Sequence, residues 1–189
     1  MHETSLGQTI EDYLTGESLE ETTYEEFRQS LARILVEEKG YPKENLKAKV
    51  AIRFEVDGKN YCRVADIVAY QDDRPLLVLF FCAGQPGTFD REIVAAARLI
   101  EKGPAPLAIA TDTKDAVLVE TSTGGVLDQG FASLPDWNSL LKLAREHPAP
   151  EISENRLESA RRILYTYTEF LVGGCEGTIC PTTVERDKD

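Results

Sequence analysis

The stretch Leu76-Leu-Val-Leu-Phe-Phe-Cys-Ala83 is apolar throughout. A strand without a polar face has to be covered on both sides, as central strands of layered α/β sheets are. This one run predicts a sheet with helices on two faces. The polar turn Gln71-Asp72-Asp73-Arg74 precedes it, and a strand-forming run from Tyr61 to Tyr70 precedes the turn. Before that, Lys49 to Val56 alternates, with Val50, Ile52, Phe54 and Val56 on one side, and ends in Asp57-Gly58, a strong hairpin signal. Three antiparallel strands are therefore expected to run through residues 49–83.

Helical patterns flank them. Phe27, Leu31, Ile34 and Leu35 give a helix over Tyr24 to Lys39 one apolar face, with Thr23 and Glu26 as a capping box and Gly40-Tyr41-Pro42 as its stop. A second helix, Phe89 to Lys102, has Thr88 as a candidate cap and Ile93, Ala96, Ala97 and Ile100 inward. Leu107 to Thr111 and Ala116 to Glu120 read as strands. Ser133 to Asp136 opens a helix that ends at His147, and a last helix spans Glu154 to Val172. The order implies an α/β (α+β) fold with a mixed central β-sheet flanked by helices. The chain divides into an acidic N-terminal arm (1–22), a core domain (23–147), a C-terminal helix that packs on or extends it (148–174), and a polar tail (175–189).

The formal net charge of -12 argues at first against nucleic acid, because a nucleic-acid binder is expected to carry a basic patch. The acid is unevenly placed. Residues 1–27 hold eight acids and no Lys or Arg, which leaves 25 acids against 21 bases in the rest. The arm reads as a solvated segment, or as one that competes with an anionic ligand. No run of 18 apolar residues exists, so no membrane span is expected. The start lacks a basic, then apolar, leader, and a cytoplasmic location follows as the expectation. Cys62, Cys82, Cys175 and Cys180 are then expected as reduced thiols. The C-x4-C spacing of Cys175 and Cys180 is not the usual zinc pattern.

Asp66 is the residue that stands out, since Asp is disfavoured in strands. If the turn centres on Asp73, opposed residues have numbers that sum to about 146. Asp66 then opposes Phe80 and Val64 opposes Cys82. Strict alternation places Asp66, Phe80 and Cys82 on one face, with Cys62 diagonal to Cys82 as a pair of small buried thiols. A half-buried carboxylate needs a metal, an arginine (Arg63, Arg91 or Arg98) or backbone donors.

The sequence YEEFRQSLARIL, then KGYPKENLKAKVAIRFEVDGKNYCRVADIVAY, then RPLLVLFFCA, resembles the N-terminal nuclease domain of type I restriction enzyme R subunits. The resemblance covers about residues 23–122. It rests on Glu25-x-x-Arg28 at a helix start, Gly40-Tyr41-Pro42 at its stop, Arg63-x-x-Asp66 in a strand, and the apolar strand after a polar turn. That family belongs to the PD-(D/E)XK nucleases, which implies a restriction-endonuclease-like core. It also implies an active site made of a strand Asp, a Glu-x-Lys on the next strand, and a helix Glu. By position, Asp66 matches the strand acid and Glu25 the helix acid. Phe80-Phe81-Cys82 stands where Glu-x-Lys is expected, so both the second acid and the lysine are replaced.

Mg²⁺ is usually held by more than one carboxylate, and hydrolysis needs it to activate water and neutralise charge. Phe80 ligates nothing, and a Cys82 thiolate suits zinc better than magnesium. The resemblance therefore implies a degenerate nuclease domain that serves as a binding or scaffold module, with no cofactor. Its partner would be DNA or a protein, with Arg28, Arg63 and Arg91 as the first binding candidates and Arg53 and Arg98 behind them. Two alternatives stand beside this. One is an active Mg²⁺-dependent endonuclease whose acid has moved, with Glu92 as the best replacement. The other is a module that self-associates, as a homodimer, through the aromatic helix 154–172.

Overall fold

The computed structural model describes residues 5–82 and 84–174, with side chains to Thr168. The Cys175 and Cys180 pair and the tail lie outside the described residues. Six strands form one sheet in the order of the chain: β3 (Leu46–Val56), β4 (Lys59–Gln71), β5 (Arg74–Phe81), β6 (Leu107–Thr111), β7 (Ala116–Glu120) and β8 (Val126–Gln129). Only β5 and β6 run parallel. They are joined by a helical crossover, α2 (Asp90–Leu99), as a parallel pair requires. Two further strands, β1 (Ser5–Glu11) and β2 (Ser18–Thr22), make a separate hairpin.

Each face of the sheet is covered. On one side lie α1 (Thr23–Arg33) and α3 (Trp137–Glu146), where Leu31, Leu35 and Leu140 meet Ile67, Leu77, Leu79 and Ile109. On the other side α2 and α4 (Glu154–Gly174) bring Ile93, Ala96, Ala97, Ala160 and Leu164 against Val68, Val78, Phe80 and Ala108. Strand β5 is buried at every position from Leu77 to Phe81, as its composition requires. The mixed α+β core with helices on both faces is the one expected from the sequence.

Local details differ from expectation in instructive ways. The cap of α1 is Thr22, whose hydroxyl accepts from Glu25 N at 3.1 Å, one residue earlier than the capping box suggests. The helix then widens into a π-turn at Ile34–Glu38, and Gly40 adopts a left-handed φ of 69° to end it. Thr88 does not cap α2; its hydroxyl donates back to Gln85 O. The turn between β4 and β5 is a two-residue reversal with both Asp72 and Asp73 at positive φ. The N-terminal segment expected as a solvated arm is a hairpin whose loop is docked on α1: Asp12 is 3% exposed.

The most consequential difference is in the first hairpin of the sheet. Ala48 opposes Ile67 and Val50 opposes Ala65, which sets Lys49 against Asp66. Lys49 takes φ of 51°, a left-handed backbone inside a strand. Register is unchanged across this point, but the faces exchange. Leu46 packs toward α1, whereas Ile52, Phe54 and Val56, with the same parity, pack toward α2 and α4. On β4, Ala65 faces α2 and α4, while Ile67 faces α1. A simple alternation argument cannot carry through such a kink.

Candidate functional site

The kink decides which side chains surround Asp66. The expected register holds beyond a one-residue shift at Ala69/Tyr70: Ile67 opposes Leu79 and Val68 opposes Val78, whereas next to the turn Tyr70 opposes Pro75. The inferred face does not. Asp66 reaches the α1 side, where one carboxylate oxygen accepts the Tyr24 hydroxyl and the other accepts Phe81 N at 2.6 Å. Phe80 and Cys82 point to the opposite side, into the α2 and α4 layer. So the three residues do not share a face, and Asp66 replaces a ladder partner of β5 with its own side chain.

Around Asp66 the space is filled by rings. Phe81 stacks on Phe27, with centroids 4.7 Å apart, and meets Tyr24 edge to face at 5.6 Å. Burial pushes the Asp66 carboxyl up to about 6, against the pull of Tyr24, Phe81 N–H, Arg63 and Arg28. The Tyr24 hydroxyl is pushed well above its ordinary value by burial and by Asp66, so it stays protonated and donates.

Glu25, the helix acid, lies in the same layer and is also enclosed. Its Oε2 accepts from the Arg28 guanidinium, and its Oε1 has the Lys49 ammonium beside it. Arg28 is wholly buried and also donates to Asp12 at 2.6 Å. Gln29 donates to the same Asp12 oxygen at 3.1 Å. Two cations and two carboxylates thus balance. Lys49 is the member of this group that the sequence does not single out. Nothing in the alternating pattern marks it, because its position depends on a backbone reversal that appears only in the folded hairpin.

The other expected residues fall elsewhere. Arg63 bonds Glu92 at 2.7 Å and lies over the Phe80 ring at 5.0 Å, on the α2 side. Glu92, the candidate replacement acid, is therefore committed to Arg63 and faces away from the α1 side, where the Asp66 carboxylate points. Arg98 donates to the carbonyls of Thr121 and Ser122, and Arg53 contacts Glu101. Arg91 is exposed in the first turn of α2. Cys82 is a free buried thiol pushed up to about 12 by burial and by Asp112, Glu92 and Asp66. Cys62 is disulfide-bonded, so the expectation of a reduced thiol fails there, and no bond joins it to Cys82.

The donor set does not suit magnesium. Both oxygens of Asp66 are engaged by protein donors, Glu25 lies between two cations, and the β5 side chain beside Asp66 is the Phe81 ring. Among the described residues no three His, Cys, Asp or Glu side chains converge to hold an ion. No helix among them is long and apolar enough to cross a membrane.

The six-stranded mixed sheet flanked by helices, with an acid on its second strand facing the first helix, has the form of a restriction-endonuclease-like domain. A comparison with family models is more specific. The type I restriction enzyme R protein N terminus (HSDR_N) matches residues 23–135, and the chain belongs to that family. No curated protein and no solved structure matches it.

Proposed function

We propose that this chain is a PD-(D/E)XK-type domain whose nuclease chemistry is lost and which acts as a binding or scaffold module without a cofactor. The observation that carries this reading is the state of Asp66. The acid at the family's strand position is fully enclosed, with Tyr24 and Phe81 N–H on its two oxygens and the Phe27–Phe81 stack beside it. A carboxylate so engaged has to break two hydrogen bonds before it can bind an ion. The side chains at 80 and 82 lie on the other face of the sheet, and the β5 residue beside Asp66 is Phe81, which offers a ring and no ligand.

The competing reading is metal-dependent cleavage of DNA, which the placement of Lys49 beside Glu25 and opposite Asp66 favours. One assay separates the two. Purified protein incubated with Mg²⁺ or Mn²⁺ leaves supercoiled plasmid and single-stranded DNA intact on our reading. Cleavage that requires the metal and disappears in Asp66→Ala would establish the other. The partner of the module is DNA or a protein. The arginines first considered for phosphate contact are mostly occupied within the chain, and only Arg91 among those three is exposed. Helix α4 packs on its own domain, with Tyr165 edge to face on Tyr61 at 4.8 Å. This supports an intramolecular role for it ahead of homodimer formation.

A further inference from the structure

The loop between β1 and β2 does something that a surface loop need not do: it places one carboxylate on a buried guanidinium. Asp12 Oδ2 accepts Arg28 Nη2 at 2.6 Å and Gln29 Nε2 at 3.1 Å, while its Oδ1 accepts Leu14 N and Thr15 N at 2.8 and 2.9 Å. The Arg28 side chain is wholly buried, and its Nη1 has no hydrogen-bond partner. A guanidinium can grip an oxyanion with two parallel N–H groups. Here it uses one on Asp12 and leaves another unused in a buried position.

The origin of the two halves differs. Arg28, Gln29, Glu25 and Lys49 lie within the residues that match the family, and Asp12 lies outside them. Without Asp12 the group would hold the buried Arg28 and, at its exposed rim, Lys49 against Glu25 alone, a net positive recess. The hairpin that supplies Asp12 is a two-stranded sheet of its own, the kind of element that is marginal in water by itself. It is held to α1 through its loop, by Asp12, by Tyr13 N on Gln29 Oε1 at 2.7 Å, and by the Tyr13 ring under Arg33 and Lys43. Residues 5–22 also carry Glu11, Glu17, Glu20 and Glu21, which repel any other anion nearby.

We propose that Arg28 and Gln29, with Lys49 at the rim, form a recess for a phosphate oxyanion, and that the β1–β2 hairpin occupies it with Asp12 as an internal mimic. The ligand enters when the hairpin leaves. This deepens the binding reading above, on which it rests, by giving that module a ligand chemistry and a built-in competitor.

The test uses the full chain and two probes, inorganic pyrophosphate by calorimetry and a labelled 20-mer DNA duplex by anisotropy. Asp12→Asn keeps an oxygen for the loop N–H groups but removes the charge from Arg28. It is expected to bind at least one probe about tenfold or more tighter than wild type, and Asp12→Asn/Arg28→Gln is expected to lose the gain. A gain with pyrophosphate assigns the recess to any phosphate; a gain with the duplex alone assigns it to the nucleic-acid backbone. A folded Asp12→Asn that binds both probes no better than wild type overturns the proposal. If that variant does not fold, hydrogen exchange of the wild type decides. Saturating pyrophosphate is then expected to speed exchange at Tyr13, Leu14 and Thr15, and unchanged exchange overturns the proposal. Tight binding by wild type and variant alike would sink the competitor and leave the binding module standing.

Discussion

At the scale of single residues, Asp66 and Lys49 carry the account. Asp66 sits higher on the pH scale folded than unfolded, because burial disfavours its charge. Between about pH 4 and 6 the folded chain therefore holds this proton when the unfolded chain has released it. The stability due to Asp66 falls as pH rises through that interval and is level above it, a change of about 3 kcal/mol for a two-unit shift. Chemical denaturation of wild type and Asp66→Asn at pH 4 and pH 7 reads this directly. The difference between them is expected to move by that amount in favour of Asp66→Asn as pH rises. Lys49 holds a left-handed backbone that a Cβ disfavours by about 1 kcal/mol. Lys49→Gly is thus expected to be more stable than Lys49→Ala by about 1 kcal/mol, although both lose the contact with Glu25. Equal midpoints for the two would show that no strain is stored there.

At the scale of elements, most strands and helices are legible in the sequence, as are the apolar faces of β3, α1 and α2, whereas the face of Asp66 is not. The apolar run in β5, the hairpin at Asp57-Gly58 and the patterns of α1 and α2 all predicted elements that formed. The register expected of β4 against β5 holds from Ala69 back to Ile67, although the turn itself pairs Gln71 with Arg74 and a one-residue shift at Ala69/Tyr70 lies between. The placement of Asp66 with Phe80 and Cys82 failed because alternation assumes a continuous pleat, and Lys49 reverses it. The short exposed strands β1, β2 and β8 were missed for a different reason: they bury too little apolar surface to leave a pattern. The link between β4 and α2 gives a test at this scale. Glu92 is 1% exposed and leans on Arg63, so Arg63→Ala strands a buried carboxylate and is expected to cost about 3–5 kcal/mol. Arg63→Met/Glu92→Met, which removes both charges, is expected to recover most of that loss in a urea titration. A double variant as unstable as the single one would mean that packing of Arg63 on Phe80, not the ion pair, holds the helix.

At the scale of the whole molecule, the charge of -12 and the family membership pull in different directions, and the structure shows how they meet. The excess acid of the N-terminal segment is not simply solvated, since one of its carboxylates neutralises the buried Arg28 of the core. Glu25 and Asp66, the acids that the resemblance matches to the family's helix and strand positions, are each engaged by groups of the chain itself: Glu25 by Arg28 and Lys49, Asp66 by Tyr24 and Phe81. On this account a site that elsewhere would bind metal has become a packed, charge-balanced layer between α1 and the sheet. Titration of the protein with Mn²⁺, followed by the loss of the free-ion electron paramagnetic resonance signal, tests that claim most directly. The account predicts no saturable uptake up to millimolar metal. One Mn²⁺ bound per chain at micromolar concentration, and lost in Asp66→Asn, would contradict it.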